Sequence, residues 1–450
     1  MQVVSPGSAV SAAVPAMPAH RHRILLDCTE TVRLRANTGI QRVVRSIADV
    51  GAKLDADTFE IRPVVFDGSH FVHFDGPRLP EPMMSGTERG ARPGAGRRLV
   101  TSGSHSAVLR ASILHPAVLG VARQAVAVFD WSLRRRMSAL GTSQRRVEYL
   151  ATDWVVLLDS TWDPDQRPEL LRAKASGARV CMVIYDLIKI RSPELASPGA
   201  GAIFRRWFLR TAPLADRIVA ISRTVRDDVQ RYLAEVQRPD IVPGKVAWFH
   251  LGSDFDRVNR DGEVSPQVQA LVGAGHPHTF LVVGTIEPRK AQTVVLDTFE
   301  HRWDAGDPAR LVMLGRQGWG SHALVRRLRT HPELGRRLFW LERANDADLG
   351  SILRRSTALI IASTSEGFGL PIVEALRCGV PVIASDIPIF REVGGSQVTY
   401  FPPGDRDALG DAIDRGERNE LKRPDPGAVH AYTWMDSTRE LVALLLEGDQ

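Results

Sequence analysis

Cysteine and lysine are both scarce in this chain of 450 residues. The three cysteines, Cys28, Cys181 and Cys378, are far apart, odd in number and form no CxxC, which argues against a disulfide framework or a cysteine zinc site. Cys28 and Cys181 sit in or beside apolar runs and read as small core residues, consistent with a reducing compartment. Only six of the 58 basic residues are lysine. Codon usage in a GC-rich genome explains such an arginine bias as readily as an anionic partner does. No run approaches the roughly 18 apolar residues of a membrane span. Residues 1–21 are rich in Ala, Ser and Pro and lack a basic start followed by an apolar core. They read as a disordered tail rather than a secretory signal. Histidines are scattered and Asp-x-Asp pairs recur five times, too often to be informative, so no metal is expected.

What the chain does have is a repeated alternation of short β-rich runs with helical patterns, the signature of parallel sheets covered by helices. Hydrophobic residues make up 44% and charged residues 24%, enough apolar material for two cores at about 100–200 residues per domain. Strands are predicted over 24–27, 59–65, 154–158, 180–184, 218–221 and 246–249. A second series follows over 279–283, 310–314, 338–341, 358–361, 381–384 and 397–401. The Gly- and Pro-punctuated stretch 254–277 between them reads as an interdomain linker. The expected domains are therefore 22–253 and 278–430, with a helical segment at 431–450. Gly, Pro and Arg crowd 86–98, which reads as a mobile loop. A helix over 122–137 follows, with Ala122, Ala125, Phe129, Leu133 and Met137 on one face. That face suits either packing on its own domain or contact with anionic lipid.

The most informative stretch is Ser363-Thr-Ser-Glu366-Gly-Phe-Gly369-Leu-Pro371-Ile-Val-Glu374, running on to Gly379. It follows a buried strand. Gly367 and Gly369 permit a tight loop, Pro371 suits the first turn of a helix and Gly379 its end. Such a helix points free N–H groups and the positive end of its dipole at a ligand, a natural phosphate site. Glu366 lies on the loop and Glu374 lies one turn inside the helix. Carboxylates accept hydrogen bonds from sugar hydroxyls, so the two can grip opposite ends of one extended ligand. A second loop, Gly284-Thr-Ile-Glu287-Pro-Arg289-Lys290, lies between a strand and a predicted helix and carries two cations. Cations at a helix start oppose its dipole, and a bound anion would rationalise them.

Glu366 to Glu374 resembles the EX7E pattern of glycosyltransferase family 4, the group 1 glycosyl transferases. The following Gly379-Val-Pro-Val-Ile-Ala-Ser385-Asp386-Ile-Pro388-Ile-Phe-Arg391-Glu392-Val-Gly394-Gly395 is similar to that family too. The resemblance implies a GT-B architecture, α/β, with two Rossmann-like domains facing a central cleft. It implies that Glu366 contacts the donor sugar and Glu374 the nucleotide ribose, while Arg289 and Lys290 bind the diphosphate. Donor contacts are expected at Gly39, Gly284, Gly367, Phe368, Gly369 and Leu370. Thr38-Gly39-Ile40-Gln41-Arg42 looks like the family's glycine loop. Arg42, Tyr185 and Asp186 are placed on the acceptor or sugar side, although many relatives carry His where this chain has Tyr185. Ser222 reads as a helix cap. Gly318-Trp319 and Glu342–Asn345 are expected to border the nucleotide base.

The reaction so implied is a metal-independent hexosyl transfer with retention. A nucleoside diphosphate sugar, GDP-mannose first, is the co-substrate, and no further cofactor is expected. The acceptor is a saccharide or polyprenyl-linked saccharide of bacterial surface polysaccharide. The protein is expected in the cytoplasm, with the inner membrane surface open as a partner and nucleic acid not expected. Two rivals remain: a sugar-nucleotide epimerase or phosphorylase of the same architecture, and a catalytically silent sugar-nucleotide-binding or scaffold protein.

Overall fold

The structure is a computed structural model describing residues 22–35, 38–54, 59–81, 142–163, 165–238, 240–241, 243–255, 263–273, 278–425 and 432–447. The expected tail at 1–21, the loop at 86–98 and the helix over 122–137 lie outside these residues.

The first half builds β1 (His22–Asp27), β2 (Phe59–Phe66), β3 (Phe71–Phe74), β4 (Thr142–Arg146), β5 (Trp154–Leu157), β6 (Arg179–Ile184), β7 (Arg217–Ala220) and β8 (Val246–Trp248). They form one sheet in the order β4-β3-β2-β1-β5-β6-β7-β8. It is parallel from β2 to β8, with β3 and β4 added antiparallel at one edge. Both faces of a parallel sheet are covered, so its strands are apolar on both sides. β1 shows this directly. Ile24 and Leu26 pack with Val43, Val44 and Ile47 of helix Gly39–Gly51, while Leu25 faces the opposite core with Phe66 and Leu157. β3 and β4 were not expected. β3 is only four residues long, and β4, Thr-Ser-Gln-Arg-Arg, is polar, as befits an edge strand, with Arg145 and Arg146 exposed.

The second half builds β9 (Thr279–Val283), β10 (Arg310–Leu314), β11 (Leu338–Leu341), β12 (Ala358–Ile361), β13 (Val382–Ser385) and β14 (Thr399–Phe401). Their order, β11-β10-β9-β12-β13-β14, reverses direction between β9 and β12, the point where Rossmann sheets take their ligands. This is the GT-B arrangement of two parallel-sheet α/β domains. Within the expected linker, Pro266–Gly273 forms a helix instead of loop. Val268 is buried against the second domain, and the Ser265 N–H donates to Asp348 Oδ1 at 2.7 Å. The surrounding Gly and Pro residues outweighed this short apolar face in the sequence.

The chain crosses between domains twice, side by side. The Ser253 N–H donates to the Tyr432 carbonyl at 2.9 Å. A Cβ on Gly252 would lie 2.4 Å from the Thr433 backbone, so no other residue fits there. Helix Trp434–Leu446, capped by Thr433 and Asp436 in a reciprocal box, then lies on helix Gly39–Gly51. It buries Leu441, Val442 and Leu445 in the first domain's core.

Asp27 and Asp159 lie buried at the ends of β1 and β5, where the first sheet reverses direction. Burial, reinforced by Asp27, pushes the Asp159 carboxyl up to about 7. The native state therefore holds a proton to higher pH than the unfolded chain, and stability falls as pH rises from about 4 to about 8. Asp159→Asn should flatten that fall. The expected result is a thermal midpoint at pH 8 higher than wild type by on the order of 5 °C, with a smaller gap at pH 5. Parallel pH profiles for the two proteins would refute the assignment.

Candidate functional site at the domain junction

Two loops meet at the point where the second sheet reverses. One follows β9 (Gly284–Lys290) and the other follows β12 (Ser363–Gly369). The Thr364 N–H donates to the Arg289 carbonyl at 2.8 Å and ties them together. Arg289 donates to Glu366 Oε2 at 2.7 Å and to the Ser365 carbonyl at 3.2 Å, and pairs with Glu287 at 2.7 Å. Lys290 Nζ pairs with Glu366 Oε1, which also accepts from Ser363 Oγ at 3.0 Å. Burial alone would raise the Glu366 carboxyl, but Lys290 and Arg289 outweigh it and hold it at about 2. Burial would likewise lower the Arg289 guanidinium, yet Glu366, Glu287 and Asp186 raise it. The site thus contains two cations matched by two glutamates, with Asp186 of the first domain facing them.

The loop after β12 ends at Gly369, whose φ of 101° is open to glycine, and helix Leu370–Arg377 starts there with Pro371 in its first turn. Glu374 is buried in this helix and pairs with Arg42 of helix Gly39–Gly51 across the junction. Glu374 dominates the rise in the Arg42 guanidinium, ahead of the lowering by burial. Gly39 starts the helix that carries Arg42, and among the described residues outside that helix's own backbone nothing crowds its Cβ position.

Gly367 explains how tightly the halves meet. A Cβ there would lie 2.1 Å from the Tyr185 carbonyl oxygen. The Gly367 carbonyl accepts from Ser222 Oγ at 3.1 Å, and Ser222 in turn caps helix Arg223–Glu235 by accepting from the Val225 N–H. Phe368 and Leu370 are buried in the first domain's core beside Val32, Leu251 and Trp434. Tyr185 turns its ring into the first domain, donating to the Leu158 carbonyl at 2.9 Å, while Asp186 accepts from the Ile188 N–H at 3.0 Å. The structure therefore gathers Glu366, Arg289, Lys290 and Gly284 in one cluster and pairs Glu374 with Arg42 separately across the junction. The Tyr185 hydroxyl is thus engaged within the first domain. Trp319, after β10, is exposed, and Trp340 Nε1 donates to the Gly315 carbonyl beside Gly284. Cavities of about 270 and about 360 Å³ lie elsewhere, one beside Leu271 and Arg310 and one beside Lys189 and Arg205. Among the described residues, no group of three or more His, Cys, Asp or Glu could hold a metal ion.

The sequence did not single out Glu392 or His250 as functional, although both belong to this junction. Glu392 appeared only inside the family-like segment, and nothing in sequence spacing announces a partner in the other domain.

This geometry, two Rossmann-like domains with paired glutamates and cations at the reversal point, defines a GT-B protein. Residues 268–428 match the model of the family described as glycosyl transferases group 1. The chain is 38% identical over 242 residues to the serotype-specific mannosyltransferase WbdA of Escherichia coli, covering 53% of this chain and 30% of that protein. It is 31% identical over 196 residues to a phosphatidyl-myo-inositol mannosyltransferase of Mycobacterium leprae (strain TN), covering 41% of this chain and 51% of that protein. The chain thus spans less than a third of the length of the WbdA relative. The fold is shared with sucrose-phosphate synthase (tll1590) of Thermosynechococcus elongatus, at a TM-score of 0.57 and 15% identity over 94% of this chain and 98% of that one.

Because the Tyr185 carbonyl is backbone and cannot swing aside, Gly367→Ala must push the domains apart. Overpacking of this kind costs about 1–3 kcal/mol. Small-angle scattering should show a larger radius of gyration, and the thermal midpoint should drop by several degrees. A variant with unchanged radius and midpoint would show that the close approach is absent in solution.

Proposed function

We propose that the chain is a retaining glycosyltransferase that moves a hexose from a nucleoside diphosphate sugar to a saccharide or lipid-linked saccharide. The observation that carries this reading is the pairing of each candidate donor-binding carboxylate with a cation. Glu366 is held by Arg289 and Lys290, and Glu374 is held by Arg42. A nucleoside diphosphate sugar offers the complementary set of groups. Its diphosphate draws Arg289 and Lys290, freeing Glu366 to accept from sugar hydroxyls. Its ribose hydroxyls take the place of Arg42 on Glu374. Arg289 and Lys290 then keep an anionic partner, both carboxylates keep hydrogen-bond donors, and Arg42, whose side chain is 28% exposed, turns to water; leaving a buried charge with no partner would cost about 3–5 kcal/mol.

As the glycosidic bond to the donor breaks, negative charge grows on the leaving diphosphate. Once the bound diphosphate has drawn Arg289 and Lys290 to it, they face that charge and little further reorganisation is needed as it grows. A strong nucleophile opposite the sugar is not part of this reading. The acceptor hydroxyl attacks from the face the diphosphate leaves, and the diphosphate takes its proton. Closure of the junction excludes water that would hydrolyse the donor. Mannose from GDP-mannose is the first donor to test, supported by relatives that are themselves named mannosyltransferases. Assembly of a bacterial surface polysaccharide at the cytoplasmic face of the inner membrane is the proposed setting.

The test is a panel of GDP-, UDP-, ADP- and dTDP-sugars, assayed by mass spectrometry for hydrolysis and for transfer to saccharide acceptors. One donor should turn over, and Lys290→Ala and Glu374→Ala should each lower that rate by about 10²–10³-fold. Full activity in either variant overturns the site assignment. Donor binding without turnover on any acceptor would favour a silent binding protein, and release of an isomerised sugar would favour an epimerase.

A further inference from the structure

Glu392 lies on helix Pro388–Gly394 of the second domain, but every partner of its carboxylate described here belongs to the first. Oε1 accepts from the Arg223 N–H at 2.8 Å and from His250 Nε2 at 2.9 Å. Oε2 accepts from the Thr224 N–H at 2.8 Å and from Thr224 Oγ1 at 2.5 Å. An ionised carboxylate can only accept, so His250 Nε2 carries the proton. Both oxygens are doubly satisfied, and the carboxylate sits on the first turn of helix Arg223–Glu235, where the orphan N–H groups and the dipole favour an anion.

The same helix start is tied to the donor loop. Ser222, its cap, donates to the Gly367 carbonyl, and the His250 ring meets Phe368 edge-on, with ring centres 5.8 Å apart. His250 also immediately precedes the crossing at Leu251–Asp254, and its carbonyl accepts from Ser437 Oγ at 2.8 Å. Glu392 therefore joins three things: the second domain, the helix start beside Gly367, and the base of the crossing.

We propose that Glu392 is a positioning residue, a latch whose carboxylate docks on the start of helix Arg223–Glu235 and on His250 to hold the domains closed with Gly367 and Phe368 in place. The latch touches neither Glu366 nor Glu374, so it acts through closure and not on the reacting atoms. Its link to donor use rests on the glycosyl-transfer reading, whereas its link to closure does not.

The experiment compares wild type with Glu392→Ala, Glu392→Gln and Thr224→Ala by small-angle scattering without ligand, and by initial rates against donor concentration. Glu392→Ala should enlarge the radius of gyration and raise KM for the donor about tenfold, with kcat at saturating donor within about twofold. Glu392→Gln, which keeps an acceptor oxygen but not the charge, should fall between it and wild type. Thr224→Ala loses one bond and should show the smallest effect. An unchanged radius in folded Glu392→Ala overturns the latch. So does a loss confined to kcat, because it would place Glu392 at the chemistry. If Glu392→Ala does not fold, the graded order of the other two variants decides. If wild type turns over no donor, the scattering series still decides the latch, and only the transfer reading fails.

Discussion

A buried carboxylate tolerates low-dielectric surroundings only if cations and donors replace its lost water. Glu366 meets that requirement through Arg289, Lys290 and Ser363. The arrangement explains why the loops after β9 and β12 must be neighbours, and the reversal of strand order puts them there. The loops' glycines and the proline-started helix fit the need to hold this charge cluster at the carboxyl ends of the two central strands. A different strand order would leave the two cations and the glutamate on separate faces.

The junction is unusual in where its apolar and polar contacts fall. Phe368, Leu370 and Val373 belong to the second domain by sequence but pack into the core of the first. Beside them, polar contacts cross the boundary at Arg42–Glu374, Ser222–Gly367 and the Glu392 carboxylate. Apolar burial is not directional, so by itself it would allow the halves to slide. The hydrogen-bonded groups fix the register, because each needs a partner at one distance and angle.

Much of the fold was legible in the sequence because buried parallel strands announce themselves as short apolar runs. β9, β10, β11 and β12 fall where those runs predicted them. β4 was not legible, since Thr-Ser-Gln-Arg-Arg has no apolar alternation and owes its pairing to the neighbouring β3. The loop and helix around Glu366 and Glu374 could be placed because local rules govern them: glycine for tight turns, proline for a first helical turn. The pairing of Arg42 with Glu374 joins residues distant in sequence and belongs to tertiary structure. The same is true of Glu392. Nothing along the chain says that a glutamate after β13 will meet a helix start after β7.

The packing of Trp434–Leu446 on Gly39–Gly51 has a consequence for the order of events during synthesis. Leu441, Val442 and Leu445, translated after the second domain, complete the core that holds Val43, Val44 and Ile47. While the ribosome is still making the second domain, the first half carries an uncovered greasy face. That face is a natural target for chaperones and for mispairing between nascent chains. In the second domain Phe280, Phe299 and Phe390 lie in cores built from residues 255–421, although Phe368, Leu370 and Val373 wait for the first domain.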